Sequence, residues 1–276
     1  MRHANKVSAR RRFALACLSG LVLANASLGQ ATAASAACDK PLYLTLDTGH
    51  MAVAPWMAQV LQRQQVKVTF FAAHEPTREG DGSLGQHWAS WWAERGREGH
   101  EFASHTLDHV YWRADVPGSE PRFEVRPSAG PNSGQTSRMS EAQYCDQIRA
   151  ADQRLAQLTG KPSLPMFRAP GGKTSPALLA AAQRCGYRHV AWAPAGFLGD
   201  ELPSDKFSNQ FLRDKALRDI RSGDILMAHL GIWSRKEVWA TGVLEPLIVG
   251  LKAKGFCFRT LRDHPDYAAW VADHPH

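Results

Sequence analysis

His105 and His109, in Ser104-His105-Thr106-Leu107-Asp108-His109, are two imidazoles four residues apart that can converge on one divalent ion. That spacing suits either one face of a helix or a strand end with the turn that follows it. Three more reactive residues close apolar runs. Asp47 ends Pro41-Leu42-Tyr43-Leu44-Thr45-Leu46, Arg168 ends Leu164-Pro165-Met166-Phe167, and His229 ends Asp224-Ile225-Leu226-Met227-Ala228. A carboxylate able to act as base, an arginine to orient it, an imidazole to act as acid and a histidine pair to hold an electrophile make up what hydrolysis of an unactivated amide requires.

Elements must bring these residues together across some 180 positions of chain. The apolar runs alternate with helical patterns: Val53, Trp56, Met57, Val60 and Leu61 form one face of a helix over 53–64, followed by a strand over 66–71. A Trp-rich helix (Trp88, Trp91, Trp92) precedes a strand over 101–104. Ser140-Glu141-Ala142-Gln143 is a capping box that starts a helix ending near Gly160. Helices over 175–185, 211–221 and 243–254 are interleaved with strands over 189–193, 224–229 and 256–261. Such alternation predicts a single α/β domain with a parallel sheet of about seven strands, closing toward a barrel, whose carboxyl ends form one mouth. There Asp47, His105, Arg168 and His229 would meet, with His74 and Glu75 at the same rim as substrate contacts or ordinary loop polarity. Residues 111–138, rich in Pro and Gly, read as a long rim loop.

Residues 1–36 carry five cations and no acids, an apolar run from Phe13 to Leu23 and small residues before Cys38. They read as a signal peptide, with Arg10-Arg11-Arg12 also fitting the twin-arginine type, and leave 37–276 as the mature catalytic domain in the periplasm or outside the cell. Removing those five cations from the 33 Lys and Arg leaves 28 against 26 Asp and Glu, or +2, which takes away the electrostatic case for nucleic acid as partner. No run is long enough for a transmembrane segment. Cys17 leaves with the signal, and the even remainder in an exported chain favours disulfides.

In order along the chain, Thr45-Leu46-Asp47-Thr48-Gly49, Val68-Thr69-Phe70-Phe71, His105-Thr106-Leu107-Asp108-His109, Phe167-Arg168-Ala169-Pro170 and the strand ending in His229 resemble the motifs of the polysaccharide deacetylases, the NodB-homology carbohydrate esterases. The resemblance implies a distorted, incomplete (β/α) barrel that removes acetyl groups from N-acetylated glycans, peptidoglycan- or chitin-like. O-acetyl ester or linear-amide hydrolysis, or a degenerate member that binds glycan without turnover, are its alternatives. It implies Zn2+ or another divalent metal on His105 and His109, Asp47 as base, Arg168 holding Asp47 by a bidentate ion pair, and His229 as acid. It also implies an oxyanion donor at the Gly171 amide. Trp112 and Trp233 follow site segments and are candidates to stack on sugar rings.

Thr48 stands where the family carries an aspartate as third metal ligand, and a neutral hydroxyl is a poor ligand. His50 in its place, Asp47 serving also as ligand, or weak metal affinity are the open outcomes. Asp108 reads as a solvated or supporting residue. Asp200, beyond Trp192, is the candidate to tune His229. In parallel β/α geometry Cys38 and Cys257 both lie near strand starts, and the first and last strands of a nearly closed barrel are neighbours, which predicts that bridge. Cys145 begins one helix and Cys185 ends another, which argues against joining them.

Overall fold

The computed structural model describes residues 38–275. The segment read as a signal peptide, 1–36, lies outside them. Strand β1 (Pro41–Asp47) is the centre of the fold, and Leu42 to Asp47 are all buried, which is why it reads as an unbroken apolar run. β2 (Thr69–Ala72), β3 (Glu101–Ser104), β7 (Met166–Phe167) and β8 (Arg188–His189) follow it on one side, all parallel. β9 (Ile225–His229) pairs with β1 on the other, and β10 (Cys257–Phe258) pairs in parallel with the first residues of β1. These seven strands form one sheet. The barrel is not closed by strand pairing: between β8 and β9 the irregular stretch 193–198 bonds to β9 instead, Ala193 to the Ile225 carbonyl and Leu198 to that of Met227.

Alternation along β1 sorts its two faces. Leu42, Leu44 and Leu46 face the surrounding helices and join a core with Met57, Val60 and Leu61 of α1 (Ala54–Arg63) and Trp92 of α2 (Ala89–Glu98). Tyr43 faces the interior with Phe71, Ala103, Met166, Val190 and Ile225. Thr45 and Asp47 continue that inner row upward, so the strand ends with its carboxylate over an apolar plug. Register then aligns the ends: Asp47 pairs with His229 and Phe71, and Ser104 with Phe167.

Residues 111–138 are not a loop. Half of them lie in a three-stranded antiparallel sheet of β4 (Val110–Val116), β5 (Arg122–Pro127) and β6 (Ser137–Ser140), joined by turns over 117–121 and 128–136. Its prolines stand where a ladder tolerates them, Pro117 and Pro121 in the first turn and Pro127 at the end of β5, while Phe123 and Val125 alternate inward to a second core with Tyr144 and Ile148. Those two residues belong to α3 (Glu141–Thr159), which opens on the expected capping box: Ser140 Oγ accepts from the Gln143 amide and Gln143 Oε1 from that of Ser140.

The expected Cys38–Cys257 bridge is present, with Cα atoms 5.9 Å apart. Cys145–Cys185 is also formed, which corrects the expectation of separate ends. That expectation assumed helices matched in length. β7 and β8 have two residues each and α4 (Pro176–Arg184) nine, against nineteen in α3, so the wall is shallow here and the end of α4 meets the first turns of α3. Glu141 and Arg184 pair across the same junction at 2.8 Å. A last helix over Pro265–Asp273 goes beyond the sequence reading and anchors Trp270 Nε1 on the Pro165 carbonyl at 2.8 Å. No helix of the described residues is long and apolar enough to cross a membrane.

Non-reducing peptide mapping is expected to return both bridges. Replacing Cys145 and Cys185 by serine should lower stability by about 2–4 kcal/mol; an unchanged unfolding curve would contradict a structural role for this bridge.

Candidate active site

β3 ends at Ser104 and the chain turns sharply, with Thr106 and His109 in left-handed backbone at φ 60° and 49°. A β-branched residue there is strained, and local hydrogen bonds hold it. Ser104 Oγ accepts from the Thr106 amide at 3.1 Å, and Thr106 Oγ1 from that of Val110 at 2.8 Å. The histidine pair therefore sits across a strand end and its turn, not on a helix, with ring centroids 4.8 Å apart. Each ring is fixed through Nδ1, His105 on the Arg168 carbonyl at 2.8 Å and His109 on Ser128 Oγ at 2.5 Å. The carbonyl can only accept, so His105 Nδ1 donates and its Nε2 keeps its lone pair; Ser128 Oγ is able to accept from His109 Nδ1 in the same way, which would free the second Nε2. Burial lowers both pKa values, that of His105 well below the ordinary value, so both rings stay in the neutral form that binds metals.

Asp47 and Arg168 form the buried pair beside them. Arg168, fully enclosed, donates from one nitrogen, Nη1, to Asp47 Oδ1 at 2.5 Å and to Thr45 Oγ1 at 2.9 Å, and from Nε to the Val190 carbonyl at 3.2 Å. The pair is single-pronged, which corrects the expected bidentate fork: among the described residues Nη2 finds no acceptor. Rings take the place of the second prong, since the guanidinium carbon lies 4.1 Å from the Phe71 centroid and 5.5 Å from that of Trp192. The other oxygen, Asp47 Oδ2, is left facing His105 Nε2 at 3.6 Å.

His229 is held by Asp200, the residue expected to tune it. Asp200 Oδ2 accepts from the His229 amide at 2.7 Å and Oδ1 lies 3.1 Å from Nδ1. Burial alone would lower the His229 pKa, but Asp200 by charge and hydrogen bond, with Asp47 and Glu201, outweighs it and raises the value to about 10. His229 is therefore an imidazolium at neutral pH.

Asp47, His105, His109 and His229 line a pocket of about 190 Å³ with Glu75, Tyr111, Gly171 and Glu201. Gly171 is required as such: its φ is 63° and a Cβ would stand 2.8 Å from the Tyr111 ring. His50 is not brought to the histidine pair. It lines an adjoining cavity of about 400 Å³, its ring edge-on to Trp233 at 4.8 Å and its Nδ1 accepting from the Ala52 amide. Trp233, 60% exposed, lines that cavity together with His229. Trp112 does not reach either; it packs on the second core and donates to Asp115 at 3.0 Å. Asp108 supports the turn by accepting from Gln147 Nε2 at 2.8 Å. Ser128 was not legible as a partner of His109, because no spacing ties it to the pair.

The donors suit a divalent ion such as zinc in kind: two neutral imidazoles, and the carboxylates of Asp47 and Glu75 in one pocket. Among the described residues no three His, Cys, Asp or Glu side chains already close on a single point, so holding an ion requires a side chain to turn inward.

The structure thus brings an oriented carboxylate, a histidine held by a carboxylate and paired imidazoles together at the mouth of an incomplete (β/α) barrel. Residues 34–190 match the model of the family described as polysaccharide deacetylase, and the chain belongs to that family. It is similar to a chitooligosaccharide deacetylase of Azorhizobium caulinodans, 24% identical over 232 residues that cover 80% of this chain and 92% of the relative. A peptidoglycan N-acetylmuramic acid deacetylase of Bacillus subtilis is 22% identical, covering 82% of this chain and 71% of the relative. In fold it is similar to a family 4 acetyl xylan esterase of Clostridium thermocellum, solved with a cobalt ion, with a TM-score of 0.61 at 19% identity over 83% of this chain and 91% of that one.

Two outcomes follow from the geometry. Arg168→Met leaves the Asp47 charge buried and uncompensated and is expected to cost about 3–5 kcal/mol. Adding Asp47→Asn should recover part of that loss, and strictly additive urea-unfolding energies would contradict the pairing. Because the folded pKa of His229 lies above its unfolded value, its contribution to stability is complete below about pH 6.5 and fades as pH rises through about 10. In metal-free protein, imidazole NMR should show His229 cationic at pH 8 in the wild type and neutral in Asp200→Asn; a neutral wild-type ring would contradict the assignment.

Proposed function

We propose that this chain is an exported, metal-dependent hydrolase that removes acetyl groups from N-acetylated glycans. The observation that carries the reading is the pairing of opposite proton tasks in one pocket: Asp47 is held beside Arg168, and His229 is held beside Asp200. Binding alone needs neither a base nor an acid. The two disulfides and the sequence of the first 36 residues support export. Similarity to glycan deacetylases supports the substrate class.

His105 and His109 would hold the metal, which when bound polarises the acetyl carbonyl and lowers the pKa of water. Asp47 Oδ2, free of Arg168, takes a proton from the attacking water, and Arg168 keeps the carboxylate ionised and aimed. His229, cationic before the reaction, gives its proton to the departing amine, which would otherwise be a poor leaving group. The φ of Gly171 lets backbone approach the place where negative charge develops, and Trp233 offers a sugar-stacking face in the adjoining cavity.

Acetate release from chitooligosaccharide, peptidoglycan and acetylated xylan tests the reading. Release from the N-acetylated substrates is expected, abolished by a chelator and restored by zinc. Release from xylan alone would move the activity to ester hydrolysis, and release from none with zinc supplied would favour a glycan-binding role.

A further inference from the structure

We propose that Glu75 is the carboxylate ligand that completes the metal site of His105 and His109, and that Thr48 is the hydroxyl that fixes it there. The inference rests on reading that pocket as a metal site.

Glu75 follows β2, the strand beside β1, and lines the same pocket as both histidines. Thr48 Oγ1 accepts from the Ala73 amide at 3.0 Å, and its own proton goes to Glu75 Oε2 at 2.6 Å. The hydroxyl is thus not free to ligate; it is spent on orienting a carboxylate that reaches in from the next strand. Glu75 is also pinned through its backbone. Its amide donates to the buried Ser83 Oγ at 2.9 Å, its carbonyl accepts from the Ser83 amide at 2.9 Å, and Ser83 Oγ donates to the Ala73 carbonyl at 2.5 Å. Such bracing limits the motion left to the side chain to its own torsions, with Oε1 available to turn toward an ion.

Charge balance points the same way. Asp47 is matched by Arg168, and Asp200 by His229. Among the described residues no cation lies at ion-pair distance from Glu75. A braced carboxylate without a cation partner, in one pocket with two imidazoles, supplies in kind the two-histidine, one-carboxylate set that zinc takes, once its side chain turns inward. Of the other candidates, His50 stands in the adjoining cavity, Asp108 binds Gln147, and Asp47 keeps only Oδ2 outside its pair with Arg168, the oxygen that the proposed function gives to proton transfer. Glu201, which also lines the pocket, interacts with His229 and Asp200, whereas Glu75 interacts with both members of the histidine pair.

The test measures zinc binding to chelator-treated protein by mass spectrometry of the metal and by competition with a coloured chelator, with circular dichroism to verify folding. The wild type is expected to take up one zinc. Glu75→Gln should weaken binding by about 100-fold or more and Thr48→Val by about 10-fold, as loss of a ligand and of its orienting partner do. Thr48→Asp in the Glu75→Gln background should recover binding, since it places a carboxylate where the hydroxyl now stands. If Glu75→Gln is too unstable to measure, Glu75→Asp on cobalt-loaded protein is expected to change the visible spectrum, and an unchanged spectrum overturns the assignment. Zinc bound by folded Glu75→Gln as tightly as by the wild type overturns it too while leaving the metal site standing. A wild type that binds no zinc overturns both.

Discussion

Asp47 and Arg168 set the condition that the rest of the site meets. A carboxylate and a guanidinium enclosed at the top of a parallel sheet are costly to desolvate, and each is tolerable only because the other is present with well-placed neighbours. Thr45, one inner-facing position below Asp47, shares Nη1 with it and sends its own hydroxyl proton to the Leu226 carbonyl at 2.6 Å, which ties the pair to β9. Phe71 and Trp192 close over the guanidinium. The carboxylate consequently has one oxygen spent on Arg168 and one left for chemistry, an asymmetry that a two-pronged pair would have removed.

The fold makes that arrangement repeatable around the mouth. Each proposed catalytic side chain leaves a strand end or the turn after it, and each is fixed by a partner from another segment: Asp47 by Arg168, His105 by the Arg168 carbonyl, His229 by Asp200 from the turn beyond the irregular stretch 193–198. Arg168 thus touches both Asp47, the proposed base, through its side chain, and His105, a proposed metal ligand, through its backbone. The antiparallel sheet of β4 to β6 brings Ser128 to His109 from outside the barrel, and the Cys145–Cys185 bridge ties the helices on which that sheet rests.

Much of this was legible in the sequence because the inner and outer rows of a buried strand alternate, and polar residues closing apolar runs mark one rim. Asp47, His105, Arg168 and His229 were placed at one rim on that basis and the seven strands by their alternation with helical patterns, while the Cys38–Cys257 bridge followed from the first and last strands being neighbours. What escaped depended on distances no local pattern encodes. The prolines of 111–138 suggested a loop because their places at strand ends and turns are visible only once pairing is known. Cys145 and Cys185 were separated by an assumption of equal helix lengths. Glu75 read as a substrate contact or as ordinary loop polarity, since its link to Thr48 joins two residues 27 positions apart, each just past the end of a strand. His50, adjacent in sequence to the site, turned aside because its ring packs on Trp233.

The claim that the oxygen of Asp47 left free by Arg168 performs the proton transfer is most directly tested by the Asp47→Asn variant, in which shape is kept and basicity lost. Zinc content and acetate release from N-acetylated oligosaccharide should be measured on the same sample. The account predicts about one zinc per chain, as in the wild type, with acetate release reduced by about 100-fold or more. Zinc retained together with undiminished acetate release would contradict it.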